Sequence, residues 1–314
     1  MKEIGGYMEL DTYGLPMLHR GALALNCGRN CLAFLAGARK IRRIALPYFL
    51  CGCVGDVCRR EGVETRHYHI GPDFRPVEPE LREGEWLYVV NYYGQLDDRF
   101  LEGLAERHGR VIVDNAQAYF RMPAAGVDTL YTCRKFFGVA DGAFLYTDAA
   151  PEGELPRDES FGRMNFLLGR YEHGAAGFYP EYVRNDLSFG GEPVRRMSRL
   201  TENLLHGIDY GAVERRRTEN FRILHGAFRE VNRLELSVPE GAFMYPLYIR
   251  NGAAARKRLL EEKIYIPTLW PDAGGDAGER DMAENILPLP VDQRYGREEM
   301  EYMVRKINHV RKEL

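Results

Sequence analysis

Apolar residues fall along the first half of the chain in two alternating rhythms, short unbroken runs and longer stretches spaced three or four apart. Cys31, Leu32, Leu35 and Ala38 keep helical spacing, so a helix is expected over 28–39, opening at Asn26 or Cys27-Gly28. The run 44–49 reads as a buried strand interrupted by Pro47, and 54–61 as a short helix. Residues 64–70 read as an alternating strand ended by Gly71-Pro72-Asp73. Next, 86–91 is a continuous apolar strand, and 98–108 is an amphipathic helix with Phe100, Leu101, Leu104 and Ala105 on one side. Val111-Ile112-Val113 is another buried strand, running directly into Asp114. Strands without alternation, joined by helices, imply a parallel sheet covered on both faces. Such sheets place ligands at the carboxyl ends of their strands, where Asn91 and Asp114 fall.

The pattern then loosens. Segments 128–132 and 142–147 add strands, and 148–160, rich in Pro, Gly and acid, reads as an exposed connection. Residues 161–191 are aromatic and Gly-rich, follow no clear period, and are long enough for a functional loop region. From 196 to 231, Leu200, Leu204, Leu205, Ile208, Phe221, Leu224 and Phe228 mark one or two long helices. A strand at 243–249, a helix at 253–262, a strand at 264–266, a Gly/Asp loop and a helix at 297–312 complete a compact α+β set. The expected fold class is therefore α/β. A large domain with a mostly parallel sheet spans 1–210, and a small C-terminal α+β domain spans 211–314. No internal repeat is visible.

Composition narrows the function classes. A chain of 314 residues exceeds the usual size of one core. A net charge of −3 gives no reason to expect nucleic-acid or membrane binding. No apolar run is long enough to span a membrane, and no basic segment followed by an apolar run opens the chain. A cytoplasmic location is the expectation. Arg195-Arg196 and Arg215-Arg216-Arg217 sit beside Glu192, Glu214 and Glu219, as on a solvated helix face. Of six cysteines, Cys27, Cys31, Cys51, Cys53 and Cys58 lie early and Cys133 later. Their spacings C-x3-C, C-x-C and C-x4-C do not make zinc knuckles, so free and mostly buried thiols are expected. His67 and His69 alternate on a strand and are not read as metal ligands.

Three segments carry candidate chemistry. Asp114 ends a buried strand, where a carboxylate is costly without a charged partner. It either meets a protonated pyridine nitrogen or caps the following helix. Lys135 follows a strand between apolar neighbours, where desolvation would favour the neutral amine that a Schiff base requires. Thr132, three residues earlier, could offer a hydroxyl to a phosphate. Gly28, Arg29 and Asn30 open the first helix, whose free N–H groups suit a phosphate and whose Arg29 adds charge.

The order of phosphate helix, strand–Asp and strand–Lys resembles fold-type-I pyridoxal-phosphate proteins, and among them the DegT/DnrJ/EryC1/StrS sugar aminotransferases. The likeness runs from Gly28-Arg29-Asn30-Cys31-Leu32 through Asp114-Asn115-Ala116-Gln117 to Lys135 and Asp141-Gly142. It resumes at Arg196-Met197-Ser198, Tyr245-Pro246-Leu247 and 264–270. The resemblance implies pyridoxal 5'-phosphate held as a Schiff base on Lys135, which then moves the proton. Asp114 would pair with the ring nitrogen, Gln117 would contact the ring or its hydroxyl, and amides near Arg29 and Asn30 would take the phosphate. Thr132 and Asn91 are further cofactor-binding candidates. It also implies a homodimer with the site at the interface, an amino-acid donor such as glutamate, and a nucleotide-linked keto-sugar acceptor.

The chain departs from that pattern in places. Gly28-Arg29 stands where the family has Gly-Thr, and Val194-Arg195-Arg196 where it has Asn-Tyr-Arg. The position of the aromatic that stacks on the cofactor falls on Cys51 by counting, with Phe49 and Tyr48 as neighbouring rings. Two other readings compete. A non-catalytic homologue could keep the fold, and Tyr131-x-x-x-Lys135 matches the pair of short-chain dehydrogenases. The latter lacks the Gly-rich dinucleotide turn after a first strand.

Overall fold

A computed structural model describes residues 4–77 and 79–314. The first half folds as β1 (Leu23–Leu25), α1 (Gly28–Ala38), β2 (Arg43–Pro47), α2 (Gly52–Arg60), β3 (Glu64–Tyr68) and β4 (Trp86–Val90). It continues through α3 (Asp98–His108), β5 (Val111–Asp114), β6 (Asp128–Thr132) and β7 (Ala143–Tyr146). The seven strands form one sheet in the order β1-β7-β6-β5-β4-β2-β3. Strands β3, β2, β4, β5 and β6 are parallel, with Val89 opposite Val113 and Val113 opposite Thr129. Strand β7 is antiparallel to β6 and to β1. That reversal makes β1 run the same way as β5 and β6.

This topology has a direct consequence. The carboxyl ends of β2, β4, β5 and β6 and the opening of α1 all lie along one edge of the sheet. Local chemistry fixes the boundaries. Asp97 caps α3 by accepting from the Phe100 N–H at 2.8 Å, and Gly109, at φ 69°, ends it in the left-handed region. Gly142, at φ 111°, begins β7 where a Cβ would meet Thr201 at 3.0 Å and Cys133 at 3.2 Å. Glycine is required there by both conformation and space.

The second half comprises α4 (Asn165–His173), α5 (Tyr179–Ser188), α6 (Arg199–Leu205), α7 (Tyr210–Phe228) and β8 (Met244–Tyr248). It ends with α8 (Gly252–Glu261), α9 (Ala277–Asn285), β9 (Ile286–Pro290) and α10 (Arg297–Glu313). A second hydrophobic core joins Phe221, Leu224 and Phe228 of α7 to Tyr245 and Leu247 of β8, Leu287 and Leu289 of β9, and Met300, Met303 and Ile307 of α10. Residue 210, where the sequence suggests a division, is the first residue of α7, whose later residues feed this second core.

The differences from expectation are local. Residues 264–266 form no strand; Ile264 and Ile266 are buried side chains of a loop. Strand β9 pairs with β8 instead, in a two-stranded ribbon whose edges tolerate Pro288 and Pro290. The unassigned stretch 161–191 forms α4 and α5, and the connection 148–160 buries Asp158 and Ser160. No helix among the described residues is long and apolar enough to cross a membrane.

Candidate active site

Asp114 ends the central strand β5 and is 8% exposed. Its carboxylate accepts from the Tyr88 hydroxyl and from the Ala116 N–H, each at 2.8 Å. Among the described residues no basic side chain forms an ion pair with it. Burial and the neighbouring carboxylate push the Tyr88 phenol well above its ordinary pKa, so Tyr88 stays a donor. The site thus holds a buried anion lacking a cation.

The rest of the sheet edge surrounds it. Gln117 is buried, and its Oε1 accepts from the Tyr93 N–H at 2.8 Å, which leaves its amide NH2 with no partner among the described residues. Thr132, buried at the end of β6, has a hydroxyl with no hydrogen-bond partner among the described residues. Asn91 has a different task. It is fully buried, donates to Asn115 Oδ1 at 3.0 Å and accepts from the Leu96 N–H at 2.9 Å. Both ends of its amide are occupied in holding the loops after β4 and β5.

Lys135 lies four residues beyond Tyr131, but not where its apolar neighbours suggested. Phe136 and Phe137 turn into the core, whereas Lys135 is exposed, with Nζ 5.5 Å from the centre of the Phe243 ring. The desolvation expected from its flanking residues is not supplied by this chain, because those rings bury themselves rather than the lysine. The loop carrying it is pinned at Phe136. Its carbonyl accepts from Arg217 Nη2 at 3.1 Å and from Gln293 Nε2 at 2.8 Å. Arg217 is 1% exposed and also donates to Gln293 and to the Ala242 carbonyl. Burial lowers its pKa to about 10. This guanidinium ties α7 and the second core to the lysine loop.

At the opening of α1 the expectation divides. The Gly28 and Arg29 N–H groups belong to the first turn, which has no side-chain cap. The Arg29 guanidinium, however, is already paired. It donates to the Asp186 carboxylate and to the Asp186 carbonyl, both at 2.6 Å, and Arg134 donates to the same carboxylate at 2.8 Å. Asp186 comes from α5, in the stretch whose pattern gave no assignment. Asn30 points inward, donating to Asn26 and to the Pro193 carbonyl. The phosphate-suited feature that remains is the pair of backbone N–H groups, with two arginines and one aspartate behind them.

The three candidates after Pro47 lie in different surroundings. Phe49 is buried against Trp270 (4.6 Å) and Tyr92 (5.5 Å). Tyr48 stacks on His67 at 5.0 Å. Cys51 is exposed, and the charges of Lys135 and Arg29 both act on it. His69 Nδ1 lies 2.7 Å from Glu279 Oε2, and Glu279 also accepts from the Ile70 and Asp276 N–H groups at 3.0 Å. That carboxylate joins α9 to the segment that follows β3.

The dehydrogenase geometry is absent. Tyr131 is on strand β6, fully buried, with its hydroxyl donating to the Arg121 carbonyl at 2.8 Å. A Tyr and a Lys four apart face one another on a helix, and these residues are not on one.

The sequence matches no protein-family model and no curated protein sequence. Solved structures do match. DesV from S. venezuelae, in complex with a ketimine intermediate, aligns with a TM-score of 0.67 at 15% identity over 92% of this chain and 84% of its own. A DegT DnrJ EryC1 StrS aminotransferase from Brucella abortus gives 0.61 at 16% identity over 92% and 85%. NtdA from Bacillus subtilis, with bound PMP, gives 0.65 at 14% identity over 93% and 73%. At this identity the likeness establishes a fold shared with these aminotransferase structures, as the resemblance implied.

Proposed function

We propose that this protein is a pyridoxal-phosphate-dependent aminotransferase that moves an amino group from an amino acid, glutamate in the first instance, to a nucleotide-linked keto sugar. The observation that carries this reading is Asp114. A buried carboxylate without a cation, on the same sheet edge as an accessible lysine, fits a ligand that brings a protonated ring nitrogen and a carbonyl. The solved neighbours named as sugar aminotransferases or holding PMP support it through the fold.

The residues present fit that cofactor. When bound, it supplies a carbonyl carbon for amines and a protonated ring that accepts electrons. Asp114 would keep the proton on the ring nitrogen, and the unpaired Gln117 amide would donate to the ring hydroxyl. The Thr132 hydroxyl and the Gly28 and Arg29 N–H groups would take the phosphate. Lys135 Nζ would be the covalent attachment point, and once released would accept the substrate proton and return it. Asn91 supports this edge through the loops it holds.

A homodimer completes the proposal. Phe161, Leu168, Tyr171, Tyr179, Tyr182 and Leu187 leave an exposed apolar surface on and around α4 and α5, beside the Arg29–Asp186 pair. A second copy seated there would cover it and enclose Lys135. We place the protein in the cytoplasm and the domain boundary at α7, between 210 and 211.

The test begins with purified protein and added pyridoxal phosphate. A visible absorption band should appear, and 2-oxoglutarate should form from glutamate in the presence of a keto-sugar nucleotide. Lys135→Ala should lose both. Wild-type turnover in that variant would end the proposal, and sedimentation that finds only monomer would remove the dimer from it.

A further inference from the structure

We propose that Arg217 and Gln293 are positioning residues for Lys135, through which the second core fixes where the lysine amine stands at the sheet edge. What the amine does there rests on the aminotransferase reading; where it stands follows from the contacts of this chain.

Arg217, on α7, is 1% exposed and stays charged near neutral pH. Among the described residues no carboxylate forms an ion pair with it. The Asp292 carboxylate, whose charge acts on it, is bonded by Arg294 at 2.6 and 2.9 Å. A buried cation of this kind is costly, and an apolar side chain of similar volume would often serve stability as well or better. Its donors show what it is used for. Nη2 donates to the Phe136 carbonyl at 3.1 Å, Nη1 to the Ala242 carbonyl at 2.9 Å and the Phe243 carbonyl at 3.4 Å, and Nε to Gln293 Oε1 at 2.8 Å. The guanidinium also lies 4.6 Å from the centre of the Phe136 ring. Gln293 turns its own Nε2 to the Phe136 carbonyl at 2.8 Å. The fork therefore holds both the peptide that follows Lys135 and the backbone of Phe243, whose ring centre is 5.5 Å from Lys135 Nζ.

The same helix places Gln293. Asn220 donates to the Val291, Asp292 and Tyr295 carbonyls at 3.2, 3.3 and 3.0 Å, which shapes the turn carrying Gln293. On the other side of the lysine, Arg134 is held by the Asp186 carboxylate at 2.8 Å. Lys135 is thus an exposed residue between two anchored neighbours. An amine that must meet a carbonyl carbon gains from such fixing, because a displaced group loses rate even where binding persists.

The experiment uses the full chain and pyridoxal phosphate over a range of concentrations. Lys135 Nζ bonds to the carbonyl carbon and water leaves; borohydride then adds hydride to that carbon, and the labelled peptide is quantified against time by mass spectrometry. Gln293→Glu keeps an acceptor for Arg217 and removes the donor to the Phe136 carbonyl. At saturating pyridoxal phosphate it should slow attachment at least about tenfold, since misplacement by about 1 Å can cost about 100-fold, with the half-saturating concentration nearly unchanged. Arg217→Met should be slowed as much, and Arg217→Lys should recover part of the rate. Ile307→Ala, a cavity in the second core away from the lysine loop, should lower the urea midpoint and leave the attachment rate as it was. In the cofactor-free chain, Gln293→Glu should speed amide hydrogen exchange at Phe136, Phe137 and Val139, whose N–H groups bond within the loop, and leave β4 and β5 unchanged. Attachment in Gln293→Glu at the wild-type rate, unaltered exchange at those three amides, or equal slowing in Ile307→Ala overturns the proposal. Wild-type chain that takes up no pyridoxal phosphate at Lys135 would instead end the aminotransferase reading, and the exchange rates would then decide whether Arg217 and Gln293 hold the loop.

Discussion

Asp114 and Asp141 are both buried carboxylates on the same edge of one sheet, yet the chain treats them differently. Asp141, just before β7, is fully buried and accepts from the Ser198 N–H at 2.8 Å, the Ser198 hydroxyl at 2.7 Å and the Thr201 hydroxyl. Every donor comes from the opening of α6, so its charge is spent on fixing that helix to the sheet. Asp114 receives two hydrogen bonds, and among the described residues neither carboxylate forms an ion pair. A carboxylate whose solvation is replaced within the chain is structural, and one whose replacement is incomplete is the better candidate for a ligand, as proposed for Asp114. Burial alone does not separate the two cases; the donor count does.

The largest effect should come from breaking the unfinished site. Asp114→Asn should lower turnover by at least about 100-fold while changing the melting temperature little, because the Ala116 N–H keeps the amide oxygen and the Tyr88 hydroxyl can turn to accept from the new NH2. Steady-state rates and a thermal melt on the same preparation check both halves. Asp141→Asn should do the reverse. It turns an NH2 toward two hydroxyl donors and should cost about 3 kcal/mol in stability, seen in a urea titration, with rate per folded molecule nearly unchanged.

His19 tests the comparison with a base. It is fully buried among Tyr119, Tyr131 and Phe144, with Nε2 2.9 Å from the Tyr119 carbonyl. Burial lowers its pKa to about 4, against the opposing effect of that carbonyl. The folded value lies below the unfolded value of about 6.5, so the fold prefers the neutral ring. The contribution is complete above pH 6.5 and is lost as pH falls toward 4, by up to about 3 kcal/mol. Urea midpoints across that range should flatten in His19→Gln, and an unchanged slope would show that other groups carry the acid sensitivity. The smallest effect is expected from Tyr88→Phe, which removes one donor from Asp114 and should cost about 1–2 kcal/mol in stability. Turnover should fall far less than in Asp114→Asn.

Most of the sheet was legible because its strands are apolar on both faces and its helices carry caps that act locally, as Asp97 and Gly109 show for α3. Strand β1 was invisible because three residues carry no period, and β9 because its two prolines argue against a strand that only an edge ribbon tolerates. Within the site, Asp114 and Lys135 stood out by their positions at strand ends. Asp186, Arg217 and Gln293 did not, since each reaches the site from a distant element and none sits in a motif. Arg134, adjacent to Lys135, was the one neighbour a closer look at charge could have marked.

The sequence by itself determined the parallel sheet, the edge to which its strands run, and the succession of a strand-end carboxylate and a later lysine, because periodicity and strand direction are properties of short segments. Tertiary structure alone decided how those residues are used. It paired Arg29 with Asp186, turned Phe49 into the core, closed Asn91 into its loops, left Cys51 exposed, and brought no cation to Asp114 from among the described residues. Hydrogen-bond satisfaction and exposure depend on which distant groups arrive, and no local pattern records that.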